Sequence, residues 1–477
     1  MRKNYIYHII YQLSICVLPL VVTPYVARVL GVENNGIYAF SSTVACYFIM
    51  LGKLGLDNYG NRSIAFVRDN RKERSRIFWS IYALQLMTSI LALFFYIGVV
   101  TTFFQEYFLI YLMQLIYVIS MIFDVSWFFY GMEKFHLTTV RSLISRALLI
   151  IGIFLFVSTK NDLWIFTGLM SAGFLIEQFL LFPFIFRYVD FVSIKWEDIA
   201  RHLKPNLQLF IPVLALSIYN WMDKLMLGLI DGAASVAYYN YAESIINLPK
   251  GIVTALGTVM LPTLSYMVAV GAIHTYQDVL ERSMGIVSFI ACALCFGIAG
   301  VAPVFVSWFL GPGYNQTAIL TMELAIVMIP MSIVDVIQTQ YLIPFQHESI
   351  YIRSVVLGAL VNLGLNTLLI PHWGASGAVI GTIGAGVAVC VYQLVHIRRV
   401  LSPKRLVKIL VPFIICGIFE FVAIYILRDL KIRSTMLLLL QIGVGGGLYL
   451  LGCLGYILLF RPEWADIQGR QKEVKNS

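Results

Sequence analysis

Charge is scarce in this sequence. Only 12% of its 477 residues are Asp, Glu, Lys or Arg, about half the share that a water-soluble chain of this length carries on its surface. A soluble globular protein is thereby excluded. Cysteine is scarce too, and all seven lie in apolar runs rather than in exposed loops, which excludes a disulfide framework. Cys292-Ala-Leu-Cys295 has redox or metal spacing, but on an apolar helix it places two small thiols on one face with no histidine cluster beside them. No metal site is expected. The first apolar run is long, contains two prolines and lacks a small-residue cleavage site, so it reads as a span rather than a cleavable leader. Also missing are paired acids in a large loop, Ser-His arrangements and a phosphate-cradling glycine loop. An enzyme, including a membrane glycan polymerase or glycosyltransferase, is not expected.

What the chain has in abundance is apolar sequence, 60% of residues, with a mean hydropathy of +0.83. Runs near 5–28, 37–56, 77–100, 107–130, 142–158, 164–186, 207–230, 237–270, 283–310, 317–345, 353–371, 375–397, 407–427 and 436–460 each approach the roughly 20 residues that cross a bilayer. The expected fold is an all-α membrane protein of about fourteen transmembrane helices. The net charge of +9 does not point to nucleic acid. With the N-terminus inside, most Lys and Arg fall on the cytoplasmic side, in blocks at Arg62 to Arg76, Arg187 to Lys204, Arg398 to Lys408 and Arg461 to Lys475. They fix topology and meet anionic headgroups.

The informative charges are those inside the spans. A charge near the centre of a bilayer costs about 2.5–3.5 kcal/mol on insertion scales. At about 100° per residue, Ser217, Asn220, Asp223, Lys224 and Asp231 share one face of the seventh span. Span eight carries Asn240, Glu243, Asn247, Lys250 and Thr254 at three- and four-residue spacing. Span ten adds Ser332, Asp335 and Gln338; span four adds Gln114, Tyr117, Ser120 and Asp124; Lys53 and Asp57 stand i,i+4 at the end of span two. Such faces turn to other helices or to a watery cavity, never to lipid. Buried ion pairing accounts for single residues; their accumulation in four spans points to a central polar cavity.

The halves resemble each other. Pro19, Leu30-Gly31 and Gly36-Ile-Tyr38 have gapped counterparts in Pro212, Leu227-Gly228 and Val236-Ala-Tyr238. The expected organisation is two pseudo-symmetric six-helix lobes, 1–205 with spans one to six and 206–400 with spans seven to twelve. Residues 401–477 add spans thirteen and fourteen and a tail, with both termini cytoplasmic.

Five stretches carry a resemblance: Pro24-Tyr-Val-Ala-Arg-Val-Leu-Gly-Val-Glu-Asn-Asn-Gly-Ile-Tyr38, Gly55 to Ala65, Asp223-Lys-Leu-Met-Leu-Gly228, Met260-Leu-Pro-Thr-Leu-Ser265, and Asn362-Leu-Gly-Leu-Asn366 to Gly374-Ala-Ser-Gly-Ala378. Together they resemble the polysaccharide-transporter branch of the multidrug/oligosaccharidyl-lipid/polysaccharide exporter superfamily, the Wzx-type flippases of O-antigen and capsular repeat units. The resemblance implies a twelve-helix core with extra C-terminal helices. It also implies transport of an undecaprenyl-pyrophosphate-linked oligosaccharide between the leaflets of a bacterial inner membrane by alternating access. Glycosyltransferases and a glycan polymerase of the same pathway would be partners, together with membrane lipids. A lipid II-type flippase and a drug/cation antiporter of the same superfamily remain as alternatives.

The expected substrate-binding cations are Arg28, Lys53, Lys224 and Lys250. Asp124, Asp223, Glu243, Asn247, Asp335 and Asn220 are the expected cavity polar groups, some of them holding a coupling Na⁺ or H⁺; no other cofactor is expected. Arg28 matches the family motif, with snorkelling to the headgroups as its alternative. The other assignments come from helix faces.

Overall fold

The computed structural model describes residues 2–398 and 400–460; the basic tail from Arg461 to Lys475 lies outside the described residues. Among those residues the secondary structure is entirely helical: α1 (Arg2–Lys53), α2 (Leu56–Val67), α3 (Arg71–Phe103), α4 (Phe108–Ser120), α5 (Ser126–Gly131), α6 (Phe135–Phe156), α7 (Leu163–Leu181), α8 (Trp196–Ile230), α9 (Ala233–Ala269), α10 (Ile273–Leu310), α11 (Asn315–Leu324), α12 (Met328–Ile337), α13 (Glu348–Ile397), α14 (Pro403–Leu427) and α15 (Ser434–Phe460), with short 3₁₀ or π turns between some of them. Helices α1 and α13 each join two spans across a non-helical glycine, Gly31 and Gly374. The α4–α5 and α11–α12 pairs are each one interrupted span. Among the described residues ten helical stretches, or eleven with the bent α8, are long and apolar enough to cross a membrane, and α1 and α13 each hold two of the fourteen segments expected from the hydropathy pattern.

Gly31 turns the chain because it adopts φ 77° and ψ 177°, a conformation open almost only to glycine. The carbonyls released there are taken by two asparagine side chains one turn further on. Asn35 Nδ2 donates to the Gly31 carbonyl at 2.6 Å and Asn34 Nδ2 to the Leu30 carbonyl at 3.2 Å. Asn34 also donates to the Lys160 carbonyl at 2.7 Å, tying the turn to the start of the α7 span. Hydrogen bonding of this kind is obligatory where no water can compensate.

The chain forms two compact units, residues 1–237 and 238–477. In the first, α8 packs with α1, α2 and α3. Gly228 lies so close to the Phe40 ring that a Cβ there would stand 2.1 Å from it, and Gly36 meets the Ala233 carbonyl equally tightly. Small residues at such crossings let backbones approach, the main source of helix association in lipid. The 205/206 boundary expected from the internal repeat concerns pseudo-symmetry rather than contact density and stands as a proposal. At the α8 end of this unit His202 is buried between the Tyr59 hydroxyl (2.7 Å) and the Ser80 hydroxyl (2.9 Å), linking α2, α3 and α8.

In the second unit α10 packs against α14 and α15, with Cys292, Phe413 and Tyr449 buried among them and the Tyr449 hydroxyl donating to the Phe289 carbonyl at 2.6 Å. Of six glycines on α15, Gly445 and Gly452 pack closely against Ile424 and Cys416, whereas a Cβ at Gly443, Gly446, Gly447 or Gly455 would meet nothing within 4 Å among the described residues.

Candidate functional site

The first cluster of intramembrane charge is built on a broken helix. α4 tightens into a 3₁₀ turn at Met121–Phe123, Asp124 is extended, and α5 restarts at Ser126. Gln85 of α3 fills the gap: its Nε2 donates to the Met121 carbonyl (2.7 Å) and the Asp124 carbonyl (2.9 Å), and its Oε1 accepts from the Trp127 indole (3.0 Å). The break therefore leaves these groups satisfied, which makes it tolerable at membrane depth.

Asp124 braces the restart. Its Oδ1 accepts from the Ser126 N–H at 3.0 Å and the Ser126 hydroxyl at 2.6 Å, an Asx-type turn one residue ahead of the Val125 N-cap. Its Oδ2 accepts from Lys53 Nζ at 2.6 Å. Lys53 also reaches Asp57 at 2.7 Å, the i,i+4 pair anticipated from spacing. Behind Ser126 stands Arg141 of α6, buried, which donates to the Ser126 hydroxyl (2.6 Å), Gln178 Oε1 (2.6 Å) and the Glu177 carbonyl (2.9 Å). Ser142 donates to the Glu177 carboxylate. Two cations and three carboxylates thus meet at the end of α1, the α4–α5 break, α6 and α7.

The sequence supplied Lys53, Asp57 and Asp124, but Arg141 read as a cytoplasmic topology charge. Gln85, Ser126 and Gln178 were missed. The available signal was the Asp124-Val-Ser126 pair, an acid two residues before a serine, which is Asx-turn chemistry in the middle of an apolar run.

On α8, Asp223 is buried and Lys224 half-buried, whereas Asn220 is exposed. Trp221 meets Tyr47 of α1 edge to face, 5.8 Å between ring centres. Asp223 acts electrostatically on Tyr47, and Lys224 on Cys46, so these charges sit beside the second half of α1. Arg28, three residues before the Gly31 turn, is exposed.

The second unit holds a separate pair. Lys250 of α9 is half-buried and near enough to Asp335 of α12 to attract it, though the two form no ion pair among the described residues. Asp335 Oδ2 is buried with no hydrogen-bond partner among the described residues. Directly after α12 the chain makes a π turn, Gln338–Leu342, in which both side-chain polar atoms of Gln340 are also buried and unpartnered. Single π turns inside membrane or soluble helices recur at functional sites. Elsewhere on α9, Glu243 is half-buried and Asn247 exposed. Asn366 Nδ2 donates to Asn362 Oδ1 at 3.2 Å within α13, so these asparagines bond along one helix.

The expected site residues therefore group within each unit: Lys53 with Asp124 in one network, Asp223 and Lys224 beside α1, and Lys250 with Asp335.

Comparison with known proteins places this arrangement. The sequence profile of a family described as "Polysaccharide biosynthesis protein" matches residues 1–268, more than half of the chain. A protein named "Putative O-antigen transporter" from Escherichia coli (strain K12) is 26% identical over 405 residues, 84% of this chain and 97% of that one. Among solved structures, a lipid II flippase MurJ in an inward closed conformation superposes with a TM-score of 0.77 at 18% identity, covering 96% of this chain and 100% of that one. An inward-facing multidrug resistance MATE family transporter superposes with a TM-score of 0.60 at 14% identity, over 83% and 95%. At these identities the two structures establish a shared helical fold. Family profile, relatives and fold agree with the motif resemblance: this chain belongs to the polysaccharide biosynthesis protein family, the Wzx-type polysaccharide transporters of the multidrug/oligosaccharidyl-lipid/polysaccharide exporter superfamily.

Proposed function

We propose that the protein is a flippase that moves an undecaprenyl-pyrophosphate-linked oligosaccharide from the inner to the outer leaflet of the bacterial cytoplasmic membrane, by alternating access and coupled to Na⁺ or H⁺. A pyrophosphate carrying sugars cannot cross about 30 Å of hydrocarbon unaided. The protein must supply polar lining for the head while the polyprenyl chain stays in lipid. The name of the Escherichia coli relative supports a surface-polysaccharide substrate.

The observation that carries the reading is the placement of ionisable groups within membrane-length helices of both units, Lys53 with Asp124 and Lys250 with Asp335. Each such group bears an insertion cost; Asp124 offsets part of it by bracing the helix that restarts at Ser126, and no such structural return is visible for Lys250 and Asp335. In this reading Arg28, Lys224 and Lys250 receive the pyrophosphate. Lys53 is shared by two carboxylates, so it serves the anion only when that network opens. Asp335, with one carboxylate oxygen unpartnered, is the leading group for the coupling ion; Asp124, Asp223 and Glu243 are the others, and Asn220 and Asn247 contact sugars. Both termini are cytoplasmic, no bond is made or broken, and polymerase and glycosyltransferases of the pathway act before or after transport.

A deletion strain tests this directly. It should lose surface glycan and accumulate the lipid-linked repeat unit on the inner leaflet, with plasmid-borne protein restoring both. Normal surface glycan in the deletion strain, or drug hypersensitivity in its place, would overturn the substrate assignment.

A further inference from the structure

The described residues of the second unit contain a groove of about 230 Å³ between the second half of α9 and the first half of α10. Leu256 and Met260 line it from one side, Val279, Ile286 and Val287 from the other, and Arg282 and Ser283 complete the wall. The lining is apolar, so Arg282 contributes its aliphatic stem and carries its charge to the mouth, the usual disposition of a snorkelling cation. Ile286 is 53% exposed, so the groove opens on the outer surface of the unit. In volume it falls below a typical pocket for a drug-sized molecule; it suits a stretch of a single hydrocarbon chain, and its apolar lining gives a sugar head no polar partners.

Charge decides what the chain belongs to. Glu281, next to Arg282, is occupied by Arg405 at 2.6 Å. Asp278, one turn earlier, makes no ion pair with Arg282, which has no polar partner among the described residues. One cation without a carboxylate, joined to one apolar slot, complements an amphiphile with a single negative charge at its head. A pyrophosphate would call for more than one.

We propose that this groove is a binding site for an acidic phospholipid, one acyl chain lying along α9 and α10 and the phosphodiester against Arg282. The site is separate from the buried charges assigned to transport and does not depend on the transported substrate.

The full-length protein, purified in neutral detergent, is titrated with phosphatidylglycerol and with phosphatidylcholine and read by native mass spectrometry. One phosphatidylglycerol should bind with roughly fivefold preference, the value of a single basic residue at a lipid surface. Arg282→Gln should lose the preference, Arg282→Lys should keep it, and Val279→Trp should lose the bound lipid. In parallel, a phosphatidylglycerol bearing a diazirine in its acyl chain should label peptides containing residues 256–260 and 279–287 of the wild type, an outcome that needs no variant. Equal binding of both lipids by the wild type, an unchanged preference in Arg282→Gln, labelling elsewhere, or displacement by undecaprenyl phosphate at lower concentration would each overturn the assignment.

Discussion

Lys53 Nζ lies 2.6 Å from Asp124 Oδ2, joining the end of α1 to the point where the fourth span breaks. The same carboxylate braces the restarting helix through Ser126, so one side chain both neutralises an intramembrane cation and closes a gap in the backbone ladder. Removing one member of a buried pair strands the other, at about 3–5 kcal/mol. Asp124→Ala should therefore lower the unfolding midpoint in detergent sharply, as should Lys53→Met. The double variant Lys53→Met with Asp124→Asn should recover part of the loss. Strictly additive losses would show that the pair is not coupled.

Gln85 satisfies three groups at the same break. In Gln85→Leu two carbonyls and the Trp127 indole lose their partner, each at about 1–3 kcal/mol. A fall in thermal stability larger than that of Gln85→Glu, which keeps the acceptor for Trp127, is expected. Equal stability of Gln85→Leu and wild type would mean the break is held by other contacts.

The turn at Gly31 rests on backbone conformation, since a Cβ there would meet only Lys160 at an ordinary 3.7 Å. Gly31→Ala should cost about 1–3 kcal/mol through strain alone. Unchanged stability and expression would contradict the positive φ.

Lys250 and Asp335 separate two kinds of loss. Lys250→Ala should reduce glycan export roughly ten- to a hundredfold, the effect of losing a charge-assisted contact of about 1.5–3 kcal/mol, with the protein still in the membrane. Asp335→Asn should leave substrate binding intact and abolish the response of transport to an ion gradient. Full export by Lys250→Ala, or an unaltered gradient response in Asp335→Asn, would remove that residue from the proposal.

Most of the fold was legible because a bilayer imposes length and composition on every span. The Gly31 turn was legible as well, since the stretch from Leu30-Gly31 to Asn34-Asn35-Gly36 is rich in turn residues. The break at 121–125 was not, because Met121-Ile-Phe-Asp-Val125 contains neither glycine nor proline. What opens the helix there is Gln85, far off in sequence. Pairing followed the same rule: Lys53 with Asp57 follows from i,i+4 spacing, while Lys53 with Asp124 joins residues 71 apart and Arg141 looked like one more topology charge. Helix-face reasoning found which side chains are polar; it had no means of choosing their partners on other helices.

The central claim is tested most directly by translocation itself. A fluorescent undecaprenyl-pyrophosphate oligosaccharide is placed in sealed proteoliposomes, and its transfer between leaflets is followed by quenching, with and without a Na⁺ or H⁺ gradient. The account predicts transfer well above that of protein-free vesicles, quickened by one of the two gradients, and slowed roughly ten- to a hundredfold in Lys250→Ala. Wild-type transfer no faster than that of empty vesicles, under either gradient, would contradict it.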